Sequence, residues 1–149
     1  MPTLRRLHPN LATLRDLPAE FARPSTRPER VAIGWGADPY GPRERVARLM
    51  PRLLTMLADF AIPTILRTRS PLIVRDIEPL AHLTRTAGLR VAFRIATLED
   101  VRVAAHLARA GIHVDLALLH ALGATLEAEL ARVRIEPEAP RQLRLNIAV

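Results

Sequence analysis

Two short stretches hold the residues best suited to chemistry, and each follows an apolar run. Gly34–Tyr40 follows the run at residues 31–33, and Arg67–Ser70 follows the run at residues 62–66. If both runs are parallel strands, the two stretches meet at the carboxyl edge of a sheet, where α/β proteins usually bind ligands. A carboxylate, a phenol, a guanidinium and hydroxyls there would suit a small polar ligand. The candidate site residues are Gly36, Asp38, Tyr40, Thr68, Arg69 and Ser70.

A simpler interpretation of these residues stays open. Asp-Pro-Tyr is a common turn sequence, and an arginine such as Arg69 is often only solvated. Thr97 and Glu99 from a third unit and His120 from a fourth extend the same edge, but Thr97 is also explained as a helix N-cap. No phosphate-binding P-loop, nucleophile elbow or zinc-binding H-E-x-x-H occurs, and no metal site is predicted.

The elements that would position these residues alternate between strand and helix at a period of roughly 25–30 residues, typical of parallel α/β units. Strands are predicted at residues 31–34, 62–66, 89–95, 112–119 and 143–149. Helices are predicted at residues 43–60 with a kink at Pro51, at 76–87, from the Thr97 cap to 110, and at 125–133. A closed eight-unit barrel needs about 250 residues. The 149-residue chain therefore predicts a partial, incomplete TIM-like barrel.

Residues 1–30 form a Pro/Arg-rich N-terminal segment in which the pattern indicates one helix and no strand. Asn10 or Thr13 would cap this helix, which runs to about Phe21 with Pro18 interrupting or bending it. Residues 23–30 then read as an extended linker. We expect this segment to precede a barrel-like domain at residues 31–149.

The amino-acid composition limits the kinds of binding partner and the cellular compartment that we expect. All 22 basic residues are Arg and the net charge is +7, which allows nucleic acid as a partner, although coding bias explains the arginines as well. The absence of cysteine excludes disulfides and thiolate-held metal or iron–sulfur centres on this chain. No apolar run approaches membrane-spanning length and no signal peptide is recognised, so we expect a cytoplasmic protein with no membrane partner.

Several motifs resemble one family in order. The run P-E-R-V-A-I-G-x-x-x-D-P-Y-x-P at residues 28–42 is similar to the second strand and loop of radical S-adenosylmethionine proteins of the spore photoproduct lyase-like, or DNA repair photolyase-like, group. The A-R-P-S-T-R at residues 22–27, the T-R-S-P-L-I-V-R-D-I at 68–77 and the I-A-T-L-E-D at 95–100 resemble further phrases of that group. The resemblance covers about residues 22–100.

The resemblance implies a partial α/β barrel with S-adenosylmethionine across the strand ends. It would place Gly36, Asp38 and Tyr40 near the methionine moiety, and Thr68, Arg69 and Ser70 near the carboxylate or ribose. The family's [4Fe–4S] cluster needs three cysteines on a first strand and loop, and this chain has none. The thirty residues before the first predicted strand are also too few to hold the cluster-bearing strand, loop and helix of the family. The expectation is a fragment or degenerate member without radical chemistry on this chain, or alternatively an Arg-rich nucleic-acid- or protein-binding module.

Overall fold

Residues 3–118 of the chain are described by the structure, a computed structural model. Their strands form one sheet in the order β1-β2-β3-β4-β5, with every neighbouring pair parallel. The strands are β1 (Leu4–Leu7), β2 (Arg30–Ile33), β3 (Thr64–Thr68), β4 (Leu89–Ile95) and β5 (His113–Leu118). The helices are α1 (Leu11–Ala22), α2 (Glu44–Ala47), α3 (Leu49–Asp59), α4 (Ile77–Thr86) and α5 (Leu98–Arg109).

The predicted α/β class with parallel βα units is confirmed. The predicted elements at 125–133 and 143–149, and His120, lie outside the described residues.

The sheet is wound in a single direction. Each strand pairs with the next one in the chain, and right-handed crossovers repeated in one direction place all connecting helices on the same face. Burial alternates accordingly along β4, where Val91 and Phe93 are buried while Arg90 and Arg94 are exposed. The apolar core therefore lies between the sheet and one layer of helices.

The opposite face of the sheet, which we call the uncovered face, is lined by the outward positions of the strands. The register of the strands assigns to it Leu4, Arg6, Arg30, Ile65, Arg67, Arg90, Ala92, Arg94, His113 and Asp115. No helix among residues 3–118 connects across this face, because all crossovers share one hand and one direction. Parallel sheets are usually covered on both faces, so an arginine-rich face that no helix of residues 3–118 covers is unusual.

Strand β1 was missed by the sequence analysis. Leu4–Leu7 reads L-R-R-L, and only Leu7 is buried, so the segment has no apolar run. The strand nevertheless pairs with β2 from Leu4↔Arg30 to Leu7↔Ile33. A strand, a three-residue connection and a helix thus occupy residues 4–22, and the connection is shorter than the cluster-binding loop of the family that the motifs resemble.

The helix predicted at residues 43–60 is two helices, and the break is not at Pro51. Arg48 separates α2 from α3 with a left-handed backbone, φ 52° and ψ 44°. Pro51 lies in the first turn of α3, where a missing N–H removes no helical hydrogen bond, so it causes no kink. Pro18 likewise does not end α1, whose N-cap is Asn10: its Oδ1 accepts a hydrogen bond from the Thr13 N–H at 2.8 Å.

The Thr97 cap is confirmed. Thr97 and Asp100 form a reciprocal capping box at the start of α5, which explains Thr97 without a ligand. Among the helices of residues 3–118, none is long and apolar enough to cross a lipid bilayer.

Candidate ligand site at the carboxyl edge of the sheet

Asp38 is the centre of the site because its carboxylate joins the ends of two strands. Its Oδ1 accepts hydrogen bonds from the Thr68 hydroxyl at 2.6 Å and from the Tyr40 N–H at 2.9 Å. Its Oδ2 accepts one from the Arg69 N–H at 3.0 Å. The loop after β2 is therefore fixed to the end of β3, across 30 residues of sequence, by a charge-assisted set of contacts.

The hydroxyls of the second stretch organise the backbone that follows β3. The Oγ1 of Thr68 accepts a hydrogen bond from the Ser70 N–H at 3.1 Å, in addition to donating to Asp38. The Oγ of Ser70 accepts one from the Leu72 N–H at 3.2 Å and so caps the 3₁₀ turn Pro71–Asp76. Each of the two hydroxyls thus accepts one hydrogen bond from the backbone that follows it.

Tyr40 points into the protein. Its side chain is buried, and its hydroxyl donates a hydrogen bond to Asp76 Oδ2 at 2.9 Å. Burial, followed by the neighbouring Asp76 carboxylate, raises the pKa of Tyr40 well above its ordinary value of 10. The phenol therefore stays protonated, and its hydroxyl is committed to Asp76.

A buried ionic network lies behind Tyr40 and was not identified from sequence. Arg75 donates to both oxygens of Asp76 at 2.8 Å and to Glu44 Oε2 at 2.6 Å. Hydrogen bonding to Asp76 raises the pKa of Arg75 above its ordinary value. Glu44 in turn accepts the N–H groups of Leu49 at 2.8 Å and Met50 at 3.1 Å, capping α3. The adjacent Arg-Asp pair of residues 75–76 was the available sequence signal, but its partner Glu44 is distant in sequence.

Asp38 and Arg69 line two neighbouring cavities. The larger, about 450 Å³, is also bordered by Tyr40 and Ser70. The smaller, about 190 Å³, has the lining Gly34, Gly36, Asp38, Arg67, Thr68, Arg69 and Arg94. All six residues predicted from sequence thus line one cavity or both; Gly34, Arg67 and Arg94 were not predicted.

Gly34 sets the close approach of β2 and β3 beside the smaller cavity. Its φ is +105°, and a Cβ built on it would lie 2.0 Å from the carbonyl oxygen of Arg67. The Arg67 guanidinium lies 5.7 Å from the ring centroid of Trp35, which is 40% exposed. A side chain at position 34 would therefore push apart the strands that form this wall.

Other polar residues do not extend the site. Glu99 pairs with Arg102 on the surface of α5 at 3.2 Å. A cavity of about 720 Å³ lies at the opposite, amino edge of the sheet, where the A-R-P-S-T-R segment contributes residues 24–27. Within residues 3–118 no group of three His, Cys, Asp or Glu side chains is arranged to hold a metal ion.

Comparison with known proteins found only partial matches. The chain is 35% identical over 77 residues to the uncharacterized protein Rv2578c of Mycobacterium tuberculosis and to the uncharacterized protein Mb2609c of Mycobacterium bovis. The match covers 52% of this chain and 23% of each relative, so the chain spans under a quarter of their length. No family model and no solved structure matches the chain.

Proposed function

We propose that the chain is a radical-SAM-like domain, a fragment or degenerate member, that binds S-adenosylmethionine at the carboxyl edge of its sheet. The observation that carries this proposal is the Asp38 carboxylate, which accepts hydrogen bonds from Thr68 and Arg69. The two motifs that most resemble the family, D-P-Y and T-R-S, therefore form one wall.

The single winding direction of the sheet supports a partial TIM-like barrel as the framework. Sequential parallel strands with helices on one face are the repeating unit of such barrels, whereas doubly wound sheets carry helices on both. In a barrel the uncovered face becomes the interior. The polar side chains on that face are suited to a ligand-bearing interior more than to a dry one.

The larger cavity is the place where the cofactor would bind. Its 450 Å³ is within the range of small-molecule sites, about 300–1,000 Å³. Arg69 would pair with the cofactor's carboxylate and Asp38 Oδ2, with one hydrogen bond from the protein, would accept one from its ammonium group. Ser70 and Tyr40 would border the methionine and ribose, with Gly36 and Thr68 shaping the shared wall.

The iron–sulfur cluster of the family does not fit this chain. A cysteine-ligated cluster requires thiolates, and the sequence contains none. The bound cofactor supplies a carboxylate, an ammonium and a sulfonium; the residues of this chain would bind and orient those groups. The proposal therefore assigns cofactor binding to the chain and no radical step.

Titration calorimetry with S-adenosylmethionine tests the proposal. We expect saturable heat, and we expect Arg69→Gln to weaken binding roughly 10-fold, as for loss of one hydrogen bond between charged groups. Arg52→Gln is the matched control because Arg52 is an exposed arginine on α3. A folded protein that gives no heat, or an equal loss in the control, would refute cofactor binding.

The uncovered face favours a second candidate function, an Arg-rich module that binds nucleic acid or an acidic protein. Five arginines lie on this face, at positions 6, 30, 67, 90 and 94. A gel-shift titration with a single-stranded oligonucleotide should show binding that weakens steeply between 50 and 200 mM salt, roughly 10-fold or more. No shift at low salt, or a shift that salt leaves unchanged, would remove this candidate.

A further inference from the structure

The smaller cavity differs from its surroundings in the charge of its lining. Arg67 and Arg94 lie on the uncovered face of neighbouring strands, and their positions differ by two residues in the β3–β4 register, since Arg67 pairs with Ala92. Arg69 follows the end of β3 and completes the lining from the loop. Three arginines thus line a space of about 190 Å³.

These three arginines have no carboxylate partner among the described residues, whereas a neighbour on the same face does. Arg90 pairs with Asp115 at 3.1 Å, but no guanidinium nitrogen of Arg67, Arg69 or Arg94 lies within 4.0 Å of a carboxylate oxygen of residues 3–118. Asp38 also lines the cavity, yet its oxygens accept three hydrogen bonds from its own loop and the end of β3. The positive charge of the cavity is therefore far from balanced.

We propose that this cavity is a binding site for a phosphate group. A phosphate dianion offers four oxygens to guanidinium donors, which bind phosphate in a bidentate geometry. Gly36 leaves the backbone of the β2 loop open beside the cavity, because no atom lies within 4 Å of where its Cβ would be. The size of the cavity suits one such group and excludes a whole nucleotide.

This phosphate site is independent of the proposed cofactor site. S-adenosylmethionine carries a net positive charge, which the three arginines of the smaller cavity disfavour more than the two, Arg45 and Arg69, that line the larger one. The cofactor is assigned to the larger cavity, and only Arg69 and Asp38 border both. The phosphate site therefore requires Arg67 and Arg94, which have no role in the cofactor proposal.

Equilibrium dialysis with radiolabelled inorganic phosphate at low salt tests the site. We expect one phosphate per chain, with Arg94→Gln and Arg67→Gln each lowering the affinity at least 5-fold. Arg52→Gln, with the same loss of charge on the helical side of the molecule, should leave the affinity within 2-fold. Circular dichroism of each variant verifies folding. No saturable binding up to 10 mM phosphate, taken as roughly ten times a 1 mM Kd, or equal losses in all three variants, would overturn the proposal.

Two further probes identify the source of the phosphate. Adenosine monophosphate that competes with inorganic phosphate would indicate a phosphomonoester ligand. A single-stranded oligonucleotide that competes better, with the same dependence on Arg94, would indicate a phosphodiester backbone. The phosphate proposal does not require S-adenosylmethionine to compete. The dialysis and the calorimetry therefore test the two proposals separately. Trp35 is the only tryptophan of the chain and has Arg67 beside its ring, so its emission should change with the same midpoint as the dialysis curve.

Discussion

Both oxygens of Asp38 accept hydrogen bonds from the chain itself, so its charge helps to build the site before any ligand binds. Thr68, Arg69 and Tyr40 donate to it from two loops. The sequence predicted that these residues meet, since loops after parallel strands share an edge. It did not predict that their polar atoms would bond to one another, because that depends on the register between β2 and β3.

Gly34 provides the sharpest test of the geometry at the cavity. Gly34→Ala places a Cβ where the Arg67 carbonyl lies and requires φ +105° of a residue with a side chain. We expect the free energy of unfolding to fall by about 2–4 kcal/mol, because both strain and steric overlap oppose the change. Urea denaturation measures this change.

Gly36→Ala is the matched control for Gly34→Ala. A Cβ at position 36 meets nothing within 4 Å, and the backbone there requires no positive φ. We expect a change of less than about 0.5 kcal/mol, as for most surface substitutions. Equal losses in the two variants would show that β2 and β3 are not as close as described.

Tyr40 predicts how stability depends on alkaline pH. Its pKa is raised well above 10 in the folded protein by burial and by Asp76, so above pH 10 the unfolded chain loses a proton that the folded protein keeps. The contribution of Tyr40 to the free energy of unfolding has its full value below about pH 10. Above that pH it should fall by up to about 1.4 kcal/mol per pH unit. Urea denaturation between pH 8 and pH 11.5, a window set roughly by the tyrosine and arginine pKa values, measures the slope.

The composition leaves no other side chain to obscure the titration of Tyr40 in this pH range. The chain has one tyrosine, no cysteine and no lysine, so no other side chain titrates in the same range. Tyr40→Phe should abolish the slope while costing about 1–2 kcal/mol at neutral pH for the hydrogen bond to Asp76. A slope that persists in Tyr40→Phe would contradict the assignment.

Among the elements, those with regular apolar spacing were predicted best. Strand β4 was predicted with the observed bounds, and α5 begins at the predicted Thr97 cap, because local patterns and a capping box define both. Strand β1 was missed because three of its four residues are exposed. The break between α2 and α3 was misplaced to Pro51 because proline is visible in a sequence, whereas the left-handed backbone of Arg48 is not.

Glu44 stabilises the backbone at the break between α2 and α3, and substitution of Glu44 tests that role. Glu44→Gln should replace the charge-assisted contact with Arg75 by a neutral one and weaken the cap on α3, while Arg75 stays paired with Asp76. We expect a loss of about 2 kcal/mol in the free energy of unfolding, as for hydrogen bonds to a charged group, measured by thermal denaturation.

Glu99→Gln is the control for Glu44→Gln because it removes the same charge from an ion pair. Glu99 and Arg102 are both about two-thirds exposed, so their pair contributes little in water. We expect no resolvable change in the melting temperature. Similar losses in both variants would mean that the Glu44 network has no special structural role.

At the scale of the whole molecule, the open features are the uncovered face and the outer edge of β1. In the described part of the chain no strand pairs with that edge, and unpaired edges favour association with another strand. We predict that the chain either forms a homo-oligomer or is only marginally stable alone.

Light scattering after size-exclusion chromatography tests the prediction of association. If folding is coupled to dimer formation, the melting temperature should rise by a few degrees over a roughly 100-fold increase in protein concentration, because mass action favours the dimer. A compact monomer with a high melting temperature that does not depend on concentration would contradict both alternatives.

Sequence alone determined the α/β class, most helices and strands, and six of the residues that line the two cavities. It could do so because burial periodicity, caps and the shared edge of parallel strands are local or topological properties. Only the tertiary structure decided that Tyr40 is buried against Asp76, that Glu44 and Arg75 support the loop, and that Arg67 and Arg94 line one cavity. Those relations depend on strand register and on contacts between residues far apart in the chain, which a sequence pattern does not specify.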